Sequence, residues 1–253
     1  EGGDFFAVLD RAVANSHPSP KALVLNFPAN PTAEVVDLAF YKEAVAYAKK
    51  HDIILLSDLA YSEIYFDDNA PPPSILQIDG AKDVAVEFTS LSKTFSMPGW
   101  RMGFAVGNER LIGALTRIKS YLDYGAFTPI QVAASAALDS PEEVIRDIRN
   151  VYKERRDVLI DVFSRAGWDV PSPQATMFAW ARIPPLFEGM TSLEFSSLLL
   201  QEADIAVSPG IGFGEYGDNH VRIALVENEQ RTRQAGRNLR RFIEGHSEKR
   251  KTA

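Results

Sequence analysis

Apolar positions along the first half of the chain change period as they go. ALVLNF (22–27), DIILLSD (52–58), DVAVEFTS (83–90) and RMGFAVGN (101–108) are compact apolar runs of strand length. The first reads as a strand buried on both faces. Between them the spacing becomes helical. FFAVLDRAVANS (5–16) reads as a short amphipathic helix and PANPT (28–32) as a turn. DLAFYKEAVAYAKK (37–50) ends in lysines, which suit the negative end of a helix dipole. Strands alternating with helices predict an α/β fold: three layers, α/β/α, around a mainly parallel sheet. The second half reads differently. Helical patterns cover 109–122, 129–139, 141–166, 191–203 and about 229–245, and strands cover 177–183, 205–210 and 220–225. The expectation is a large domain over 1–140 and a smaller C-terminal α+β domain over 141–253, with the long helix joining them.

Composition removes several function classes. A chain of 253 residues can bury a full core. Its net charge of -7 argues against nucleic acid as a partner, which needs a basic face. The arginines of RTRQAGRNLRRF (231–242) lie on one side of a helix with Leu239 and Phe242 on the other, so they read as a solvated face. With no cysteine there is no disulfide framework and no thiolate nucleophile. The histidines lack ligand spacing, so no metal site is expected. No apolar stretch is long enough for a bilayer and no signal peptide is visible, so no membrane partner is expected and the location expected is cytoplasmic. The chain opens on Glu1 rather than methionine, which leads us to expect further sequence upstream.

Candidate chemistry concentrates in TSLSKTFSMPGWRMGFAVGN (89–108). Lys93 sits among Leu91, Phe95, Met97 and Trp100. Desolvation favours a neutral amine, which is a nucleophile. Arg101 follows as a fixed cation suited to a phosphate. An amine beside a phosphate anchor points to a Schiff base with a phosphorylated aldehyde, pyridoxal 5'-phosphate. Ligands of open α/β sheets bind beyond the carboxyl ends of strands, and three polar groups fall there. Asn30 follows the first run, Asp58 closes the second with Tyr61 a turn later, and Ser90 closes the third. Around a pyridoxal ring, Asp58 would keep the ring nitrogen protonated and the ring a stronger electron sink. Asn30 and Tyr61 would hydrogen-bond its phenolic oxygen. Ser90 and Arg101, with Ser92 as a further candidate, would hold the phosphate, and Arg222 in HVRIAL would grip a substrate carboxylate. Taken singly, Asp58 also reads as a helix cap, Asn30 as a turn residue and Arg222 as a surface arginine. GFGEYG (212–217) matches GxGxxG, but a strand follows it where a dinucleotide fingerprint needs a helix, so it reads as a loop.

These motifs together resemble the class I/II aminotransferases of pyridoxal phosphate fold type I. The resemblance runs essentially end to end through NPT (30–32), DLAYSEIYF (58–66), SLSKTFSMPGWRMGF (90–104) and HVRIAL (220–225). Within that group the chain is most similar to bacterial glutamate–pyruvate (alanine) aminotransferases, through NFPANPTAEVVDL (26–38), IKSYLDYGAFTP (118–129) and SPGIGFGEYGDNHVRIALVEN (208–228). LL-diaminopimelate and aspartate aminotransferases are near relatives. The resemblance implies Lys93 as Schiff-base lysine and proton shuttle, Asp58 as partner of the ring nitrogen, and Asn30 and Tyr61 as partners of its phenolate. Ser90 and Arg101 become phosphate ligands and Arg222 the α-carboxylate ligand. It also implies transfer of an amino group between an amino acid, alanine or glutamate, and a 2-oxo acid, in a homodimer. Other functions on this scaffold are a β-lyase and a sensor domain without turnover. Many relatives read NPTG where this chain has Ala33. Members are longer at the N-terminus, so the expectation is the C-terminal portion of an incomplete large domain plus the small domain. The isolated chain is expected to bind the cofactor poorly.

Overall fold

The computed structural model describes residues 4–252; residues 1–3 and 253, at the outer ends of the two expected domains, lie outside the described residues. Strands β1 (Ala22–Asn26), β2 (Ile54–Asp58), β3 (Ala85–Ser90) and β4 (Gly103–Gly107) form one sheet in that order. β1, β2 and β3 run parallel, and β4 runs antiparallel to β3. The reversal has a simple cause. A parallel connection needs a crossover of a dozen or more residues, usually carrying a full helix. Between Ser90 and Gly103 the chain has room only for α3 (Leu91–Thr94) and a 3-10 turn (Pro98–Trp100).

α1 (Phe5–Asn15) starts at Asp4, whose carboxylate accepts the N–H groups of Phe6 and Ala7. α2 (Leu38–His51) starts at Asp37, which caps Phe40 N at 2.8 Å. It buries Tyr41, Ala44, Val45 and Ala48, the stripe of an amphipathic helix. That stripe packs with Leu25, Leu55 and Ala85 from three neighbouring strands. β1 departs from the expected strand buried on both faces. Leu25 is 1% exposed, whereas Val24, on the opposite face, is 63% exposed. β1 stands at an edge of the four strands and the described helices cover one of its faces. Within this core Glu87 is buried, and its carboxylate accepts Ser74 Oγ at 2.7 Å and Ile75 N at 3.0 Å. A buried carboxylate needs such donors.

The rest of the chain forms α4 (Glu109–Leu122), α5 (Thr128–Leu138), α6 (Glu142–Arg165), α7 (Ser192–Ala203) and α8 (Glu229–Thr252), with a second sheet. That sheet holds β5 (Phe178–Arg182), β6 (Ser208–Pro209) and β7 (His220–Ala224) in the order β5-β7-β6, all antiparallel. α8 runs past the expected end near residue 245. Leu239 and Phe242 turn into the second core beside Phe163, Trp168 and Phe195. No helix among the described residues is long and apolar enough to cross a membrane.

One segment crosses between the two cores. Tyr61, Ile64 and Phe66 follow β2 in sequence yet pack into the second core. Backbone hydrogen bonds fix them there, from Thr176 N to Ile64 O at 2.7 Å and from Phe66 N to Gln174 O at 3.1 Å. Arg149 of α6, itself buried, lies 4.0 Å over the Tyr65 ring and bonds Asp68 at 3.2 Å.

α6 and α8 meet closely at Gly236, where an added Cβ would stand 2.7 Å from Val162 Cβ. Gly236→Ala is therefore expected to lower stability by about 1 kcal/mol or more, because overpacking outweighs the gain in helix propensity. Gly245 in the same helix faces open space, so Gly245→Ala is expected to raise stability by up to about 1 kcal/mol. Thermal unfolding of the two variants checks the opposite signs.

Candidate active site

Parallel pairing lines up the carboxyl ends of three strands. Asn26 lies opposite Asp58, Asp58 opposite Phe88, and Ser90 closes β3. Because β4 turns back, Ser90 pairs with Gly103, and Arg101 enters the same rim just ahead of β4. Ser90 starts the short α3, its hydroxyl accepting Ser92 N at 3.2 Å. Leu91 is buried beneath that turn, while Ser92 and Lys93 are half-buried. The Lys93 Nζ stands 5.8 Å from the centre of the Tyr61 ring. Of the apolar residues around Lys93 in sequence, Leu91 is buried, Phe95 and Met97 are half-buried and Trp100 is 48% exposed. Arg101 is exposed and donates to Pro98 O at 2.9 Å. Its φ of 53° is left-handed, which costs a non-glycine residue on the order of 1 kcal/mol.

Asp58 is half-buried, and one carboxylate oxygen accepts Ala60 N at 3.2 Å. Tyr61 is buried. Burial is the main reason its phenol is held above the ordinary tyrosine range. Arg222 pulls it down, and the negative potential of Asp58 and Tyr152 pushes it up. The phenol thus keeps its proton and serves as a donor at neutral pH. The same balance places Asp58, Tyr61 and Arg222 within one electrostatic neighbourhood.

Arg222 is no surface arginine. Its Nη1 donates to Asn30 Oδ1 at 2.8 Å and its Nη2 to Ser208 Oγ at 3.3 Å. Its guanidinium lies 4.2 Å over the Phe178 ring and 4.7 Å over the Phe213 ring. Burial lowers its pKa, with Tyr61 opposing, yet a guanidinium stays charged in a protein. Of its five N–H donors these two hydrogen bonds commit two, and the buried Nε has no protein partner.

Sequence reasoning missed Asn26. Its Nδ2 donates to Asp58 O at 3.3 Å and its Oδ1 accepts Asn30 N at 2.9 Å, so one amide ties the two strand ends. Its position was a usable signal, a polar residue closing an apolar run as Asp58 and Ser90 do. Phe178, Phe213 and Ser208 carry no local signature. Ala33, which replaces the glycine of many relatives, stands at φ 60°, where glycine is free of strain. The 212–217 stretch folds as 3-10 turns (Gly210–Phe213 and Glu215–Gly217) and runs into β7, so it opens no helix. Within it Gly217 is required sterically, since a Cβ there would meet Gly210 O at 2.4 Å, whereas Gly212 and Gly214 face open space.

The family model for aminotransferase class I and II matches residues 5–237. The chain belongs to this family. Over 96% of its length it is 67% identical to the putative aminotransferase AatC of Rhizobium meliloti, and spans 60% of that protein. It is 55% identical over 95% of its length to the glutamate-pyruvate aminotransferase AlaC of Escherichia coli, and spans 58% of it. Among solved structures, substrate-bound BacF of Bacillus subtilis superposes with a TM-score of 0.88 at 39% identity, over 95% of this chain and 60% of that one. Class I and II aminotransferases are fold type I enzymes that depend on pyridoxal phosphate. The side chains gathered here suit that group chemically: an amine, a carboxylate, a neutral phenol, and a hydroxyl with a guanidinium at the rim.

The potentials around Tyr61 are testable. Its phenol is expected to titrate above the range of free tyrosine, near pH 10, and Arg222→Met is expected to move it higher by removing the opposing cation. Alkaline ultraviolet difference titration against a Tyr61→Phe variant measures both.

Proposed function

We propose that the protein is an alanine–glutamate aminotransferase, exchanging an amino group between these amino acids and 2-oxo acids. The observation that carries the reading is the line running from Lys93 over Tyr61 to the Arg222–Asn30 pair. An amine and a guanidinium near one buried phenol support the roles of nucleophile and carboxylate-binding cation. Similarity to AlaC supports alanine and glutamate. When bound, pyridoxal phosphate supplies the electron sink for the substrate's α-carbon. In this reading Lys93 Nζ would hold the cofactor at its aldehyde carbon and, once the substrate's amine has replaced it there, would be the free base that moves the α-proton. Asp58 keeps the ring nitrogen protonated. Tyr61 and Asn30 hydrogen-bond the ring oxygen, and Asn26 holds Asn30 in place. Ser90, Ser92 and Arg101 bind the phosphate. Arg222 binds the substrate α-carboxylate with N–H groups left over from Asn30 and Ser208, and Asn30 lies beside that carboxylate.

The reading includes a cytoplasmic homodimer. The exposed run Tyr121, Leu122, Tyr124 and Phe127 supports an interface with a second copy. A second substrate reading has support in the LL-diaminopimelate aminotransferases among the relatives.

In the full-length protein, Lys93→Ala is expected to reduce turnover by at least about a thousandfold, the range for removing a positioned acid–base group. Borohydride reduction followed by peptide mass mapping is expected to fix the cofactor on Lys93 in the unsubstituted protein alone. Half-reaction absorbance with alanine, glutamate, aspartate and LL-diaminopimelate ranks the substrates. A strong response to diaminopimelate with none to alanine overturns the alanine assignment.

A further inference from the structure

Two of the proposed binding groups share one neighbour that touches neither the cofactor nor the substrate in the reading above. The Phe178 ring carries the Arg222 guanidinium on its face at 4.2 Å. The same ring meets Tyr61 edge to face, with centroids 5.8 Å apart and planes at 71°. Phe178 is 8% exposed and belongs to the second core, as Tyr61 does. It sits on β5 directly opposite Ala224 and two residues from Trp180, the register partner of Arg222. Phe213, the other ring on the guanidinium, is 40% exposed and packs edge to face with Trp180.

We infer that Phe178 is a positioning residue that couples the carboxylate-binding arginine to the phenol facing Lys93. The inference rests on the proposed roles of Arg222 and Tyr61. The physics of the two contacts differs. A cation over an aromatic face is held by the ring's negative potential, and more firmly where water is excluded. An edge-to-face pair fixes orientation through the opposite charge of ring edge and ring face. One rigid ring therefore sets the guanidinium plane and the phenol plane together. A carboxylate arriving at Arg222 shifts the cation on that ring, and the displacement is passed to Tyr61. Phe213 orients the guanidinium without reaching the phenol.

The test uses the full-length protein with Phe178→Leu, Phe178→Tyr, Phe213→Leu, and 3,4,5-trifluorophenylalanine at position 178. The fluorinated ring keeps the shape and loses the negative face, so it serves if the leucine variant fails to fold. Two quantities are read. One is the Kd for propionate, a carboxylate without a reacting amine, by tryptophan fluorescence with and without cofactor. The other is the pH midpoint of cofactor absorbance.

Phe178→Leu and the fluorinated variant are expected to weaken propionate binding about tenfold, as for loss of a partly desolvated cation–π contact. Phe178→Tyr is expected to restore it. Phe178→Leu is also expected to raise the absorbance midpoint by about half a pH unit or more, the scale of an aromatic pair. A phenol drawn off the ring oxygen leaves that oxygen more basic. Phe213→Leu is expected to weaken propionate binding with the midpoint unmoved. The inference is overturned if Phe178→Leu and the fluorinated variant bind propionate like the unsubstituted protein, or if Phe213→Leu moves the midpoint as far as Phe178→Leu does. Failure of the underlying reading looks different: the unsubstituted protein itself then shows no cofactor absorbance or no propionate binding.

Discussion

The hydrogen bond from Arg222 to Asn30 is the constraint around which the site is arranged. It joins β7 of the second sheet to the turn after β1 of the first, 192 residues apart in sequence. A partly buried cation persists only if its donors and its charge are met. Asn30 and Ser208 meet two donors, and two aromatic faces meet part of the charge. Asn30 can serve because Asn26 holds its backbone N–H, and Asn26 in turn reaches Asp58. One chain of contacts therefore runs from the cation on one sheet to the backbone carbonyl of Asp58, the residue that bears the carboxylate, on the other. The groups that carry opposite charge in the site are registered to each other by neutral amides, which transmit position without adding a charge of their own.

The first sheet contributes its part through a change of direction. Had β4 run parallel, its carboxyl end would lie at the site and Arg101 at the far end. The short link after β3 forbids a crossover and sends the chain straight back. Lys93 and Arg101 consequently stand within one loop at one rim, carried by a four-residue helix that Ser90 starts. Strain at Arg101 belongs to the same device, because the left-handed residue is what turns the 3-10 segment into β4.

Much of this was legible in the sequence. The apolar runs located β2, β3 and β4 to within a few residues, and the helical spacing located α2, α4, α6 and α7, because periodicity reflects a buried face directly. Polar residues closing those runs mark the rim, so the sequence alone groups Asp58, Ser90 and Lys93. What failed was whatever depended on neighbours distant in sequence. The exposed face of Val24 follows from which strand stands at the edge, which an apolar run does not encode. The antiparallel β4 depended on counting the link, not on the strand's own residues. Phe178 and Phe213 look like any core or loop phenylalanine, since their role comes from a guanidinium on another strand. Asn26 carries the same signature, but its link to Asn30 and Asp58 depends on contacts that the end of a strand does not encode.

The strap from Tyr61 to Asp68 gives the two halves an unequal relation. It begins three residues after Asp58, the last residue of β2, then packs its apolar side chains into the second core, bonds its backbone to the segment just ahead of β5 and ties to α6. Sequence order and structural membership therefore part company there. A recombination joint placed after residue 140 would hand the second core to a new host while leaving behind three of the side chains that fill it. A viable exchange of the smaller half between relatives has to bring residues 61–68 along, so two separated stretches of sequence behave as a single heritable module.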